Sequence, residues 1–278
     1  MSQIQVAVCA DDYALTPPIS AAILDLARRG RISAVSCMTA SPLWPELGPA
    51  LESVADKVDI GLHVTLVDET PLTAMPRLAP AGRLPSIGQL IVKSYLGAVA
   101  LAEAAAEIEA QVAAFVAVMG RAPAHIDGHL HTHVLPGIRG LVLAAAERMT
   151  PRPWLRTTTD RAVFSRPAGF KACVLDALGR AFTRDARARG FVTNDGFSGF
   201  YDFAGGDYAA SFPTFLRGLG PRPLILCHPG AADDCAAWAQ ARGREYDFLR
   251  GEAFEAMLPP GGVVRLSKLT QSCSQAAV

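Results

Sequence analysis

A chain of 278 residues with 26 basic and 26 acidic side chains, half of it apolar, is an ordinary globular sequence, which excludes a disordered, collagen-like or disulfide-scaffolded protein. Zero formal net charge, with no basic stripe interleaved with aromatics, excludes a general nucleic-acid binder. Cys9, Cys37, Cys173, Cys227, Cys235 and Cys273 are scattered without a CxxC pair, so neither a zinc ribbon nor a redox dithiol is expected.

The N-terminus, "MSQIQVAVCADD", lacks the basic start and long apolar core of a signal peptide. "IQVAVCA" (4–10) predicts a buried parallel strand. Thr16 as N-cap, Pro17 in the first turn and Gly30 after the last frame the helix that follows. "ISAVSCMTA" (32–40) and "VDIGLHVTL" (58–66) are the next strands, separated by a helix over 44–55. A Pro-rich loop, 68–85, leads to an Ala-rich helix over 96–120, which Glu103, Glu107 and Glu109 mark as non-membrane. With no transmembrane segment and reduced thiols, the expected location is the cytoplasm. "AHIDGHLHTHV" (124–134) then reads as a strand with His125, Asp127, His129, His131 and His133 on alternate positions, hence on one face. Later strand candidates are 153–157, 190–194, 223–230 and 262–269, with helices over 168–188 and 244–257. About eight β/α repeats without a linker predict one α/β domain over 1–270, an irregular (β/α) TIM-like barrel with mostly parallel strands. A doubly wound open sheet is the second choice, and residues 271–278 read as a flexible tail.

The polar residues gather at strand ends. Asp11 and Asp12 follow the first strand, His63 and His129 fall late in theirs, and His228 closes "LILC". In β/α barrels that rim carries the chemistry. A carboxylate and two neutral imidazoles suit a catalytic divalent ion with a position left for water, and Asp12, His63 and His129 are the best trio. Asp11 is the candidate base, provided the chain turns at Ala10–Tyr13 so that both aspartates face one site. His228 is the candidate acid for a poor amine leaving group. Each has a structural alternative: capping carboxylates for Asp11 and Asp12, a hydrogen-bonded core imidazole for His63. Asp127 either orients a ligand imidazole or ties down an arginine such as Arg156. His131 and His133 are supporting donors or rim residues. "AGGD" (204–207) reads as a loop, and Arg244 and Glu245 in "REYDFL" as the start of a helix. Tyr13, Trp44, Phe197, Phe200 and Tyr201 are available to stack on a ring.

Taken in order, "ADDYA" (10–14), "GLHVTL" (61–66), "HIDGHLHTH" (125–133) and "CHPG" (227–230) resemble the YdjC-like family of carbohydrate deacetylases, which includes chitooligosaccharide deacetylases and hopanoid-associated deacetylases. "PLTAMP" (71–76), "NDGFSGFYDF" (194–203) and "REYDFL" extend the resemblance over nearly the whole chain. The resemblance implies an irregular barrel that binds one divalent ion through Asp12, His63 and His129 and uses Asp11 as base to remove N-acetyl groups from amino sugars. The resemblance also points to His228 as the acid. Ligand softness favours Zn²⁺; the family suggests Mg²⁺. The expected substrate is an N-acetylated amino sugar, oligosaccharide or glycolipid, with a homodimer compatible with the sequence. The rival readings are a metal-dependent hydrolase of a phosphoester or cyclic amide, and a non-catalytic carbohydrate- or metal-binding protein. Where the family usually has Gly after its Asp-Asp-Phe, this chain has Ala14, and Ser20 replaces a frequent Asn.

Overall fold

A computed structural model describes residues 4–162, 169–204, 206–218, 220–232 and 234–268; the expected tail at 271–278 lies outside them. Among the described residues seven strands run parallel: β1 (Ala7–Tyr13), β2 (Ala34–Cys37), β3 (Asp59–Val64), β4 (His125–Gly128), β5 (Trp154–Leu155), β6 (Gly196–Ser198) and β7 (Pro223–Cys227). Every described strand residue is buried, as expected of short Val/Ile/Leu-rich strands covered on both faces.

Their order in the sheet is β5-β4-β3-β2-β1-β7-β6, a cyclic permutation of chain order. The two edges meet at a single parallel bridge between Leu155 and Thr193. Asn194 stitches the same seam: its Oδ1 accepts from Thr157 N at 2.7 Å and its Nδ2 donates to Thr157 O at 3.0 Å. The sheet therefore curls into a barrel, not the doubly wound alternative.

Two expected strands are smaller than their apolar patterns suggest. Residue Thr193 contributes only the seam bridge, and β6 begins three residues later. Within the described part of 262–269, one bridge joins Val263 to Val6 and residues 266–268 are helical, so no eighth strand forms among the described residues.

The helices pack outside. Thr16 caps α1 (Pro17–Arg28) as expected, its hydroxyl accepting from Ile19 N. The 44–55 helix is real but breaks at Gly48-Pro49 into α2 (Trp44–Leu47) and a 3-10 stretch. One helix escaped the sequence reading. α3 (Ile87–Tyr95) is set by a capping box between Ser86 and Gln89, an S-x-x-Q signal in the stretch between the Pro-rich loop and the Ala-rich helix. The Ala-rich helix is α4 (Leu101–Met119), closed by Gly120 at φ 65. α5 (Ile138–Glu147), α6 (Gly169–Ala188), α7 (Tyr208–Phe215), α8 (Ala239–Arg250) and α9 (Glu252–Met257) complete the set. No helix of the described residues is long and apolar enough to cross a membrane.

Inside the barrel, alternate strand positions face inward. Ala7, Ala34, Trp154, Leu224 and Leu266 form an apolar plug at the N-terminal end of the strands. Above it, Cys9, Asp11, Ser36, His63, His125 and Asp127 replace apolar side chains. Gly61 makes room among them, since a Cβ there would lie 2.3 Å from the His125 ring, which stacks on Trp154 at 4.3 Å.

Candidate active site

The polar layer begins with an irregularity in β1. Its register with β2 slips between Ala10 and Tyr13, where Asp12 takes φ 70. A regular strand would send consecutive side chains to opposite faces; the slip brings Asp11 and Asp12 into one cavity, as the sequence required. Ala14 takes φ 73, a left-handed conformation that costs a non-glycine residue about 1–2 kcal/mol. Ser20 compensates from α1. Its Oγ accepts the Ala14 N–H at 2.9 Å and donates to Thr16 O at 2.9 Å, which pins the loop.

Asp12, His63 and His129 converge, their donor atoms all within 4.8 Å of one another. Asp12 Oδ1 lies 2.9 Å from His129 Nδ1 and 3.4 Å from His63 Nε2. Its other oxygen accepts from Arg242 at 2.5 Å. Burial opposes ionisation of Asp12, but Arg242 and His129 outweigh it and hold the carboxyl well below the usual range. His63 donates Nδ1–H to Asp127 Oδ1 at 2.6 Å, leaving Nε2 to face Asp12. A carboxylate behind the imidazole is the usual support of a metal-binding histidine, so the donor set and its backing fit a divalent ion. Burial alone would depress His63; Asp11 and Asp127, with hydrogen bonds to Asp12 and Asp127, push it up to about 10. The cavity is built to hold positive charge at that point.

Asp11 lies beside the trio, one oxygen 3.7 Å from His63 Nε2. Arg156, fully buried, grips it with two bonds of 2.6 and 2.8 Å and reaches Asp127 Oδ2 at 3.0 Å. Asp127 thus touches both of its candidate partners, the His63 imidazole and the Arg156 guanidinium. Ser36 donates to Asp127 at 2.6 Å and meets His125 Nε2 at 3.0 Å.

The histidine row is not one straight face. β4 stops at Gly128 and residues 129–134 form a 3-10 turn, with Leu130 at φ 49 and His131 at φ 58. Only His125 and Asp127 project inward from the strand; His129 reaches the cavity from just past its end. His133 is buried and donates Nε2–H to Arg156 O at 2.9 Å. His131 sits at the rim, its ring 5.5 Å from Phe197 and 6.0 Å from Phe200.

His228 follows β7 on the opposite side. Burial pushes its imidazole down to about 4, despite the attraction of Asp12 and Asp11, and its Nδ1 is buried without a partner among the described residues. Its backbone N–H donates to Glu245 Oε2 at 2.5 Å, while Tyr201 donates to Oε1 at 2.8 Å. The "REYDFL" stretch lies inside α8 instead of starting it. Glu245 and Arg242 share its buried face, whereas Arg244 is exposed.

The chain matches the YdjC-like protein family over residues 5–259. It belongs to that family. A carbohydrate deacetylase from Mus musculus is 30% identical over 252 residues, covering 82% of this chain and 78% of that one. A chitooligosaccharide deacetylase from Yersinia pestis is 38% identical over 148 residues, which span 52% of this chain and just over half, 56%, of the relative. Among solved structures, a protein from Enterococcus faecalis provisionally assigned to cellobiose-phosphate cleavage superposes with a TM-score of 0.73 at 22% identity, covering 96% of this chain and 99% of that one. The last likeness bears on the fold alone.

In this YdjC-like protein the aromatic candidates divide sharply. Tyr13, Trp44 and Phe197 are buried; Trp44 stacks on Phe115 and donates to Ala114 O, so it belongs to the core. Phe200 and Tyr201 are partly exposed. "AGGD" does end in structure, with Asp207 capping α7. Arg242, Ser36, Phe203 and Trp238 went unnoticed in the sequence. Only the i, i+3 pairing of Arg242 with Glu245 on one helical stripe could have flagged any of them.

Proposed function

We propose that the protein is a metal-dependent carbohydrate N-deacetylase, and that the cavity of Asp11, Asp12, His63 and His129 is its active site. The observation that carries this is the convergence of one carboxylate and two imidazoles beside a second, arginine-held carboxylate. The names of the mouse and Yersinia relatives support the same chemistry.

Asp12, His63 and His129 would hold one divalent ion, Zn²⁺ being favoured by the nitrogen-rich donor set over Mg²⁺. Such an ion polarises a carbonyl and lowers the pKa of a bound water toward neutrality. Asp11 takes a proton from the attacking water. The two Arg156 bonds fix its carboxylate in place, so little orientation is lost when the proton moves. The bond from carbonyl carbon to nitrogen then breaks, and the nitrogen must leave protonated. His228 delivers that proton. Burial keeps that imidazole neutral at pH 7, so the proton it delivers is the one Asp11 took from the attacking water, and the carboxylate and the imidazole both end the cycle as they began it. The products are acetate and the amino sugar.

The substrate is an N-acetylated amino sugar, free or as part of a larger glycoconjugate. The free thiols of Cys9, Cys37, Cys173, Cys227 and Cys235 support a reducing compartment such as the cytoplasm. Product analysis tests the reading. Acetate released from N-acetylated amino sugars, abolished by chelation and restored by metal, is expected. Phosphate from phosphorylated sugars with no acetate would contradict it.

A further inference from the structure

Of the three tryptophans, Trp44 and Trp154 are buried and Trp238 is 55% exposed. Trp238 also stands at φ 65, immediately before α8. A bulky residue in the left-handed region is strained, and such strain persists where the surroundings enforce it, often at functional sites. Here the enforcing group is Arg242. It donates Nε–H to Ala237 O at 3.1 Å and its backbone N–H to Trp238 O at 2.9 Å, while its guanidinium holds Asp12 at 2.5 Å. The strained tryptophan is tied to the arginine that holds the proposed metal ligand.

An aromatic wall leads from that tryptophan to His228. The Trp238 and Phe203 ring centroids are 6.2 Å apart, and Phe203 lies edge-on to His228 at 5.1 Å. Tyr201 backs Phe203 at 4.6 Å and is itself anchored to Glu245. The neighbours Asp202, Ala204, Ala237 and Gln240 are exposed small or polar residues. An alkyl chain needs contiguous apolar surface. A short row of flat rings edged by small and polar side chains suits a ligand with an apolar face and a hydroxyl rim.

We propose that Trp238 and Phe203 form a stacking subsite for the sugar ring adjacent to the one bearing the reacting acetamide. The inference rests on the deacetylase reading and adds to it which residues hold a neighbouring sugar unit, with Trp238 the one that discriminates a dimer from a monomer.

Because the other two tryptophans are buried, acrylamide-quenchable emission reports on Trp238. The experiment titrates metal-loaded Asp11→Asn protein with N-acetylglucosamine, its β-1,4-linked dimer and trimer, following quenching and binding heat. Dimer and trimer are expected to shield Trp238 while the monomer does not. Trp238→Ala should weaken dimer binding on the order of tenfold and leave monomer binding unchanged; Trp238→Phe should restore most of the loss. Equal shielding by monomer and dimer, no shielding by any of the three, or unchanged dimer affinity in Trp238→Ala would overturn the subsite. Acetate assays on the wild type keep the two ideas apart. Dimer that shields Trp238 but yields no acetate contradicts the deacetylase reading alone. Acetate from the dimer with an unchanged KM in Trp238→Ala contradicts the subsite alone.

Discussion

His63 gives its Nδ1–H to Asp127 across 2.6 Å in a fully buried pair, and the same carboxylate receives Ser36 and Arg156 on its other oxygen. One aspartate therefore fixes both the tautomer of a proposed ligand and the arginine that holds the proposed base. Asp127→Asn should lower divalent-ion affinity by about 10–100-fold, the usual effect of losing a carboxylate behind a ligand imidazole. Competition with a chromogenic chelator measures this. Unchanged affinity would mean that the pair does not support a ligand.

The turn after β4 separates histidines that the sequence lines up. His129 faces Asp12, whereas His131 faces Phe197 and Phe200. Purified His129→Ala should lose its ion and His131→Ala should keep it, as measured by elemental analysis. The reverse pattern would remove His129 from the site.

Arg156 is wholly buried between two carboxylates. Arg156→Met leaves both without their cation and should destabilise the fold by about 3–5 kcal/mol. Arg156→Lys keeps the charge but loses the two-pronged grip on Asp11, so it should retain more stability than activity. Denaturant unfolding and acetate release on the same samples separate the two effects.

Ser20 supplies the acceptor for the strained Ala14 amide. Ser20→Ala leaves that buried N–H unsatisfied, at a cost of about 1–3 kcal/mol. Thermal unfolding tests it; a loss under a few tenths would show that the loop holds without α1.

Burial pushes Glu245 up to about 7, against the hydrogen bonds from His228 and Tyr201. A carboxyl whose folded pKa exceeds its unfolded value, 4.5, favours folding fully below the unfolded value and loses that contribution as pH rises through 7. Glu245→Gln does not titrate. Its stability relative to wild type should rise from about pH 4.5 to 7 and level off above. A flat difference across that interval would contradict the assignment.

Much of the site was legible because an inward-facing polar residue in an apolar strand stands out. Asp11, His63 and Asp127 each interrupt a buried run, and alternation assigns them to one face. The cyclic strand order likewise follows from repeated β/α units. What alternation does not carry is a change of backbone state. The slip at Asp12 was required by chemistry before it was seen, whereas the turn at Leu130–His131 gave no sign, since neither residue is glycine. Partners from distant elements were equally hidden. Arg242 reaches Asp12 across 230 residues of sequence; its i, i+3 pairing with Glu245 marks a buried polar stripe on α8 but does not name Asp12 as the partner. The absence of an eighth strand among the described residues has a plainer cause: the seven strands already close at Leu155–Thr193, and Val263 pairs with Val6 alone among those residues.

The most direct test of the central claim is Asp11→Asn, assayed for bound ion and acetate release in one preparation. The variant keeps Asp12, His63 and His129 and removes only the proton acceptor. The account predicts stoichiometric metal with acetate release reduced by roughly 10²–10⁴-fold, the range for a lost general base. Full turnover with metal bound would contradict it.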